Sequence, residues 1–427
     1  LGVTRLRMHL LSQAHVHPNS RLRPSLIPAF GAPGHPARRR SRRGAPCPPT
    51  QRTWCRRCVS SDMNLLSHAR DVALQSPLLV LGGVALAYAV YTLIRFARAD
   101  ASLGLLSAAP TPPRAFAGKV VWIVGSSQGL GEAMALCMAA QGAKLILSSR
   151  SQRKLEAVKA KCAAFIPADD VLLLRLDVLG PPATLAEAVE TACSAFGGAG
   201  LDYIFHNAGA SQHAVVEETT CDVATELLHL NLHAAINVAR ATLPYMLRRG
   251  KGWHVVISSM AGVVPSPGQA VYAAAKAGLR AYFGSLKAEM HGSGIGATIC
   301  CPGPVATGLD GNARLVYGPL GLIETVTTVP SPDGEGSQLV AAHSSSGRTA
   351  VPRAVELIVR AAHRKMDEVW IARHPVLLVG YLTQYTPFLA WWILKKIGPG
   401  RARKLKSGGD GYSVTGMFVW GTPKKTE

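Results

Sequence analysis

The chain has 427 residues, 48% of them hydrophobic and 17% charged, which is enough to bury one large core and to include a membrane segment. The formal net charge of +21 suggests a polyanionic partner, but residues 1–62 alone carry twelve Arg, no Lys and one acid, Asp62. Because no aromatic interleaving or binding motif accompanies Arg38–Arg40, a nucleic-acid partner is not predicted.

The first 62 residues are rich in Arg, Pro, His and Ser and have no apolar periodicity, so we predict a disordered or non-native basic leader. Met63 is a candidate start, because a membrane-anchor pattern begins just after it. Cys55 and Cys58 form a CxxC pair, but no second pair follows at zinc-finger distance. Because a structural zinc ion needs four ligands, no metal site is predicted.

A single-pass membrane anchor is predicted within residues 63–98. The segment Val72–Ile94 contains no charged residue, and about 20 apolar residues in a helix span a bilayer. Tyr88 and Tyr91 suit the membrane interface. The alternatives are a buried core helix and a signal peptide. A signal peptide needs a small-residue cleavage site close behind, whereas Arg95-Phe-Ala-Arg98 follows here.

We predict a Pro-rich linker over residues 99–118 and one α/β domain over residues 119–373. Short, continuous apolar runs alternate with helical patterns, for example Val223–Met246. Continuous apolar runs form buried parallel strands that helices cover on both faces. The fold class is therefore α/β, a doubly wound parallel sheet (Rossmann) of about seven strands. The predicted strands are Val120–Val124, Lys144–Ser148, Val171–Leu176, Asp202–Phe205, His254–Ser258, Ala297–Cys301 and Val369–Ile371.

Two segments follow the main run of elements. Residues 308–350 are rich in Gly, Ser and Pro, which predicts a long mobile loop. Residues 374–427 form a C-terminal hydrophobic extension and tail. Within it Pro375–Leu394 is uncharged and aromatic, but Pro387 and several hydroxyl groups interrupt it. These interruptions favour a helix pair lying in the membrane interface over a second membrane span.

A glycine-rich turn follows the first predicted strand and opens a helix. Gly125, Gly129 and Gly131 let the backbone turn tightly and approach a pyrophosphate, which the helix N-terminus attracts. At the end of the second strand the chain reads Ser148-Ser149-Arg150, with no carboxylate to bind a ribose 2′-hydroxyl. Arg150 can bind a 2′-phosphate, so NADP(H) is predicted as cofactor. The alternative is that Arg150 is simply a solvated residue at a helix start.

Tyr272 and Lys276 predict an acid–base pair, because positions i and i+4 share a helix face. A phenol is a poor base at neutral pH, and a nearby ammonium group lowers its pKa. The pair can thus exchange a proton with a carbonyl or carbinol oxygen. Ser258 and Ser259 end the preceding strand at the sheet edge where ligands of such folds bind.

In their order and spacing, these residues resemble the short-chain dehydrogenase/reductase family over about residues 117–310. The motifs that carry the resemblance are Gly125-x3-Gly129-x-Gly131, Asn207-Ala-Gly209, Asn231, Ser259, Tyr272-x3-Lys276 and Pro302-Gly303. Two positions depart from the family pattern. Val124 replaces a Thr, and His206 replaces an Asn, for which we favour a structural role at the strand end over a catalytic one.

The resemblance implies a role for each matched residue. Tyr272 is the proton donor or acceptor, Lys276 tunes it and holds the nicotinamide ribose, Ser259 binds the reacting oxygen, and Asn231 supports a water-linked proton relay. Asp177 meets the adenine. The full predicted cofactor site is Gly125, Ser127, Gly129, Leu130, Gly131, Arg150, Asp177, Asn207, Ala208, Gly209, Tyr272, Lys276, Pro302, Gly303, Val305 and Thr307.

The chain ends extend the resemblance to membrane-bound members of this family. Ile94–Asp100, Glu368–Ile371 and Leu389–Ile393 are similar to segments of members linked to the endoplasmic reticulum and to steroid and retinoid carbonyl substrates. The resemblance therefore implies an NADP(H)-dependent oxidoreductase of the endoplasmic reticulum membrane that acts on an apolar ketone or alcohol, with a homodimer possible. The alternative is a catalytically idle, membrane-tethered nucleotide-binding scaffold.

Overall fold

A computed structural model describes residues 70–71, 77–307, 314–325 and 347–406. The predicted leader, residues 1–62, lies outside these described residues. The chain divides into two compact units, residues 1–82 and 83–427. The described part of the first unit includes the opening turns of helix α1. The second unit contains every other element discussed below.

Ten strands are described, and seven of them form one parallel sheet in the order β10-β7-β6-β4-β1-β2-β3. The predicted doubly wound parallel sheet of about seven strands is therefore confirmed. The strands are β1 Val120–Val124, β2 Lys144–Ser149, β3 Val171–Arg175, β4 Tyr203–His206, β5 Ser211–Gln212, β6 Gly252–Ile257, β7 Ile295–Pro302, β8 Arg314–Tyr317, β9 Leu322–Thr325 and β10 Glu368–Ile371.

Eleven α-helices are described, and most of those in the second unit cover the two faces of this sheet. They are α1 Pro77–Ala97, α2 Leu103–Ser107, α3 Gly129–Ala140, α4 Gln152–Cys162, α5 Pro182–Gly198, α6 Cys221–Leu228, α7 Ala234–Arg249, α8 Ala270–Glu289, α9 Val351–His363, α10 Val376–Tyr385 and α11 Pro387–Lys406. Strand β1 is buried along its whole length, including Trp122. Burial on both faces explains why the strands read as continuous apolar runs instead of alternating ones.

The register of the sheet brings several strand ends to one edge. Val124 of β1 pairs with Ser148 of β2 on one side and with His206 of β4 on the other. In parallel sheets the carboxyl ends of neighbouring strands meet in this way, and ligands bind where the strand order reverses. Here the reversal falls between β1 and β4, directly below the glycine-rich turn.

The predicted helix Val223–Met246 is two helices separated by a π-type turn, His229–His233. Apolar periodicity runs through both helices, which is why the sequence predicts only one. π-type turns are rare and occur often at functional sites. This one contains the predicted site residue Asn231.

The prediction of a long loop over residues 308–350 is wrong for its described part. Strands β8 and β9 form an antiparallel hairpin, and β8 also pairs with β5 to give a second, three-stranded sheet. Tyr317 of β8 is buried against Val223 and Leu227 of α6. The burial of Tyr317 stabilises the hairpin, although the sequence of this interval predicts a strand only weakly. The remaining residues of the interval, 308–313 and 326–346, lie outside the described part.

The connection between α1 and the sheet packs against α9 and β10. Arg353 of α9 donates two hydrogen bonds to the Asp100 carboxylate, of 2.8 and 3.1 Å. The Ser102 amide donates to the Trp370 carbonyl at 2.8 Å. Leu105 and Phe116 are fully buried. The segment predicted as a linker therefore contains a short helix and contributes to the core.

Helix α1 is the one described helix that is long and apolar enough to cross a membrane, and none of its residues is buried. Its last turn packs on the C-terminal extension, where the Phe96 ring lies 5.4 Å from the Tyr381 ring of α10. The extension is a helix pair that breaks at Pro387, as predicted, but its second helix continues to Lys406. Four exposed residues, Tyr385, Phe388, Trp391 and Trp392, form what we call the aromatic face.

Candidate active site

The glycine-rich turn after β1 is built so that side chains would not fit. Gly125 has φ of +88°, and a Cβ there would lie 2.7 Å from the backbone of Ala208. A Cβ at Gly131 would overlap the Gly125 carbonyl oxygen. Gly129 also has a positive φ, of +59°. Only glycine satisfies such positions without strain, so the turn can bring its backbone close to a ligand.

Helix α3 begins at Gly129 directly above this turn. The side chain of its N-cap residue, Gln128, makes no bond to the first turn of the helix, and its amide oxygen instead accepts from Lys154 Nζ at 3.0 Å. The first helical N–H groups are therefore not capped by this side chain. Such groups, together with the helix dipole, bind phosphate. Ser127 and Leu130 are half-buried in the same turn.

Asn207 fixes the turn from the neighbouring strand. Its Nδ2 donates to the Gly125 carbonyl at 2.6 Å, and its amide donates to the Val124 carbonyl at 3.0 Å. Ala208 closes the space beneath Gly125. On the other side, the Thr307 methyl group lies 3.8 Å from where a Cβ of Gly129 would stand. The segments predicted from β1, β4 and β7 thus come together around the glycine-rich turn.

The second strand ends at the predicted 2′-phosphate position. Arg150 is exposed immediately after β2, and its carbonyl accepts from the Arg175 guanidinium at 3.3 Å. Arg175 is a second cation at this corner that the sequence reasoning missed. The register pair Ser149–Arg175 of β2 and β3 would have indicated it. Asp177, predicted at the adenine, is exposed, and its carboxylate accepts from the Leu179 amide at 3.1 Å.

Asn231 lies buried in the π-type turn, with its side chain bonded to backbone. Its Oδ1 accepts from the Ala210 amide at 3.2 Å, and its Nδ2 donates to the carbonyls of Ala210 and Leu227 at 3.0 and 3.2 Å. A Cβ at Gly209 would lie 2.6 Å from Asn231 Oδ1 and 3.5 Å from Lys276 Nζ. The structure therefore brings Gly209, Asn231 and Lys276 together.

Lys276 is buried beneath Tyr272 on helix α8. Its ammonium donates to the Ile257 carbonyl at 2.9 Å and lies 5.6 Å from the centre of the Tyr272 ring. Burial lowers the pKa of Lys276 to about 8. The Ser258 hydroxyl donates to the Lys276 carbonyl at 2.8 Å, which ties the end of β6 to the helix. A cation so placed favours the phenolate form of the tyrosine.

Ser259 extends from the end of β6 toward the last predicted segment of the site. Its hydroxyl donates to the Pro302 carbonyl at 3.4 Å and accepts from the Ala261 amide at 3.1 Å. Gly303, next along the chain, donates to the Ile371 carbonyl at 2.8 Å. Val305 is buried and forms a bridge with Thr349. The nicotinamide-side segment is thus held between β10 and the Ser259 turn.

His206 makes its contacts away from the residues described above. Its Nε2 lies 3.0 Å from Nδ1 of His254, and both rings are buried beside Phe283. Burial lowers the pKa of His206 far below its usual range and that of His254 to about 4. The structural role predicted for His206 agrees with these contacts. No sequence pattern indicated His254 as its partner.

Residues 119–316 of the chain match the model of the short chain dehydrogenase family. A protein named "Dehydrogenase/reductase SDR family member 7" from Homo sapiens is 33% identical, with 75% of this chain and 91% of the relative covered. The Mus musculus protein of the same name is 33% identical over 74% of this chain and 89% of its own. The chain belongs to the short-chain dehydrogenase/reductase family. Membership implies oxidoreductase chemistry on a small molecule.

The chain also has some similarity to a solved dehydrogenase structure. Serine dehydrogenase from Escherichia coli matches with a TM-score of 0.46 and 21% identity, over 59% of this chain and 97% of its own. The family also implies a nicotinamide cofactor. The residues present fit such a group, because the glycine-rich turn leads directly into the start of α3, where the N-cap side chain does not bond the first N–H groups and a pyrophosphate can do so.

Proposed function

We propose that the chain is a membrane-bound, NADP(H)-dependent oxidoreductase that interconverts an apolar ketone and its alcohol. The observation that carries the proposal is the buried Lys276 ammonium 5.6 Å from the Tyr272 ring. The proposed catalytic residues are Ser259, Tyr272, Lys276 and Asn231. The bound nicotinamide would supply or accept the hydride.

In the reducing direction, Ser259 donates a hydrogen bond to the substrate carbonyl oxygen and fixes its position. Tyr272 transfers its phenolic proton to that oxygen as the carbonyl carbon is reduced, so that C=O becomes CH–OH. Lys276 stabilises the phenolate that remains, because a cation nearby lowers the free energy of the charged form. Oxidation runs the same proton transfer backward, with the phenolate as base.

The preference for NADP(H) rests on the charge at the end of β2 and β3. Arg150 and Arg175 place two guanidinium groups there, and Ser148 and Ser149 leave no carboxylate at the end of β2. A guanidinium binds phosphate through paired N–H donors, whereas a carboxylate would repel it. The corner is therefore suited to a ribose that carries a 2′-phosphate.

Membrane attachment and apolar substrates are proposed from the exposed apolar surface. Helix α1 is unburied throughout. Tyr381 connects its last turn to the aromatic face, because the Tyr381 ring lies 5.4 Å from Phe96 and 6.2 Å from Tyr385. Phe388 is 87% exposed, and Trp391 and Trp392 are each 51% exposed. Aromatic residues followed by Lys395 and Lys396 suit the headgroup layer of a bilayer. The resemblance of the chain ends to family members linked to the endoplasmic reticulum leads us to propose that membrane.

The decisive experiment is NADPH oxidation by the purified full-length chain in detergent, with a panel of apolar and water-soluble ketones. We expect turnover with apolar ketones and at least tenfold lower kcat/KM with NADH. The matched variant Tyr272→Phe should bind NADPH and not turn over. Binding of NADPH by the wild-type chain with no turnover of any ketone or alcohol would instead support the idle scaffold.

A further inference from the structure

A buried polar network joins the C-terminal helix α11 to the start of the catalytic helix α8. Arg401 is only 9% exposed, and its guanidinium donates to the Gln269 side-chain oxygen at 3.2 Å. Gln269 is the residue immediately before α8, and its Nε2 donates to the Ser211 hydroxyl at 2.9 Å. All three side chains are buried. Burying a guanidinium is costly, so its retention at this point indicates a specific role.

The next residue of β5 continues the network into the first turn of α8. Gln212 is fully buried, and its side-chain oxygen accepts from the amides of both Val271 and Tyr272 at 3.1 Å. Its Nε2 donates to the Thr219 hydroxyl at 3.0 Å. Helix N-termini normally have their first amides capped by the N-cap side chain or by water. Here a distant glutamine binds the amide of the catalytic tyrosine itself.

Packing contacts also connect the C-terminal helices α10 and α11 to the segment that leads into α8. The segment from Met260 to Gln269, which joins Ser259 to α8, is covered by the C-terminal helix pair. Gly380 of α10 approaches Met260 so closely that a Cβ would lie 2.6 Å from its methyl group, and a Cβ at Gly268 would overlap Leu405 of α11. The segment between Ser259 and Tyr272 therefore takes its shape from α10 and α11.

We propose that Arg401, Gln269 and Gln212 are positioning residues that hold the first turn of α8, and with it Tyr272, at the distance from Lys276 that the reaction requires. The proposal rests on the proposed function for its kinetic consequences. It makes α11, the helix that carries most of the aromatic face, a structural part of the active site. Arg401 acts through Gln269, and Gln212 acts directly on the Tyr272 backbone.

The test compares Arg401→Gln with Arg403→Gln in the full-length chain. Arg403 is exposed two residues further along α11, so its substitution removes the same charge from the same helix. We expect Arg401→Gln to lower kcat for an apolar ketone at least tenfold with the KM for NADPH unchanged, and Arg403→Gln to leave both unchanged. Arg401→Lys should recover part of the loss.

The pH profile separates positioning from a loss of folded protein. Reduction needs the protonated phenol, so kcat falls as pH rises through the pKa of Tyr272. If the tyrosine moves away from Lys276, that pKa rises, and the alkaline limb of the profile shifts upward by about half a unit or more. A smaller amount of folded enzyme lowers the amplitude and leaves the limb in place. An unshifted limb in Arg401→Gln would contradict the proposal.

Hydrogen exchange provides a readout that does not depend on turnover. In Arg401→Gln we expect the amides of residues 270–273 to exchange at least tenfold faster than in the wild type, with no change in Arg403→Gln. Hydrogen exchange tests the positioning network even if no ketone is reduced. In that case the proposed function fails, and the exchange rates alone decide whether the network holds the first turn of α8. Equal exchange in the two variants would overturn the network.

Discussion

The Lys276 ammonium and the Tyr272 ring stand 5.6 Å apart on one face of α8, with the ammonium bonded to the Ile257 carbonyl. The lysine is held by the end of β6 and the tyrosine backbone by Gln212. Each partner of the pair is thus fixed from a different strand. Helix spacing brings the two side chains together, and these contacts hold the first two turns of α8 on the sheet edge.

Tyr272→Phe should lower kcat more than a thousandfold and leave NADPH binding within about twofold of the wild type. The change removes the transferable proton, and the ring still packs. Tyr282→Phe on the same helix is the matched control, and it should retain activity. Stopped-flow fluorescence of bound NADPH measures affinity. Residual kcat of a few per cent in Tyr272→Phe would show that another group supplies the proton.

Lys276→Met should abolish activity and raise thermal stability. Burial lowers the folded-state pKa of Lys276 to about 8 from an ordinary 10.5, so burying its charge costs about 3 kcal/mol at neutral pH. Leaving the Ile257 carbonyl without its donor costs about 1–2 kcal/mol. We therefore expect a net gain of ~1–2 kcal/mol, seen by calorimetry as a Tm higher by a few degrees.

The same shift fixes the pH dependence of this gain. Between pH 8 and 10.5 the unfolded chain binds a proton that the folded chain does not, so wild-type stability should rise with pH in that window. The Lys276→Met chain should lack this contribution. Lys287→Met, on the same helix and paired with the exposed Asp367, is the control. A lower Tm for Lys276→Met at pH 7 would contradict the argument.

Arg150→Ala should weaken NADPH much more than NADH. A charge-assisted contact to a 2′-phosphate contributes about 1.5–3 kcal/mol, which corresponds to roughly ten- to a hundredfold in Kd. Arg175→Ala should also weaken NADPH binding more than NADH binding. The loss should be smaller than in Arg150→Ala, because the Arg175 guanidinium also binds the Arg150 carbonyl. Arg153→Ala, exposed on α4, is the control. Equal losses for both cofactors would mean that Arg150 does not contact the phosphate.

Acid should destabilise the chain through His206 and His254. Burial holds the folded-state pKa of His254 at about 4 and that of His206 well below its usual range, whereas both titrate near 6.5 when unfolded. Stability is therefore present above pH 6.5 and is lost as pH falls toward 4, by ~2 kcal/mol for one histidine at pH 5.

The histidine pair can be tested with a double variant. In His206→Gln/His254→Gln the slope of Tm against pH between 6.5 and 4 should be reduced by at least half. His291→Gln removes an exposed histidine and should keep the wild-type slope. An unchanged slope in the double variant would place the acid sensitivity elsewhere.

The aromatic face should bind bilayers independently of α1. A chain lacking residues 1–94 should float with lipid vesicles, and the triple change Phe388→Ser/Trp391→Ser/Trp392→Ser should reduce flotation at least fivefold. The exposed Phe165, on a different surface, serves as the control when changed to Ser. If the shortened chain stays in solution without vesicle binding, the aromatic face is not a membrane contact.

The seven parallel strands and the glycine-rich turn could be predicted because their signals are local. Val120–Val124 is a buried run, and Gly125 follows at the position where a tight turn is needed. Tyr272 and Lys276 share a helix face at i and i+4, so their pairing also follows from spacing alone. In these cases the residues that determine the structure are neighbours in sequence.

The parts that were missed depend on contacts between residues far apart in the chain. The hairpin of β8 and β9 lies in a Gly- and Ser-rich interval, and it forms because β8 pairs with β5 about a hundred residues earlier. The bond from Arg401 to Gln269 joins positions 132 residues apart. The pairing of His206 with His254 depends on the order of β4 and β6 in the sheet. Periodicity within one segment carries none of this information.

The two hydrogen bonds from Arg353 to Asp100, with the bond from Ser102 to Trp370, restrain the chain just past the end of α1. A planar guanidinium that meets a carboxylate through two bonds resists rotation as well as separation. The residues that follow α1 are therefore fixed to α9 and β10 and do not form a free tether. For a membrane-anchored chain, a molecule dissolved in the lipid would reach the enzyme by lateral diffusion in two dimensions, and encounter rates would scale with its density per membrane area.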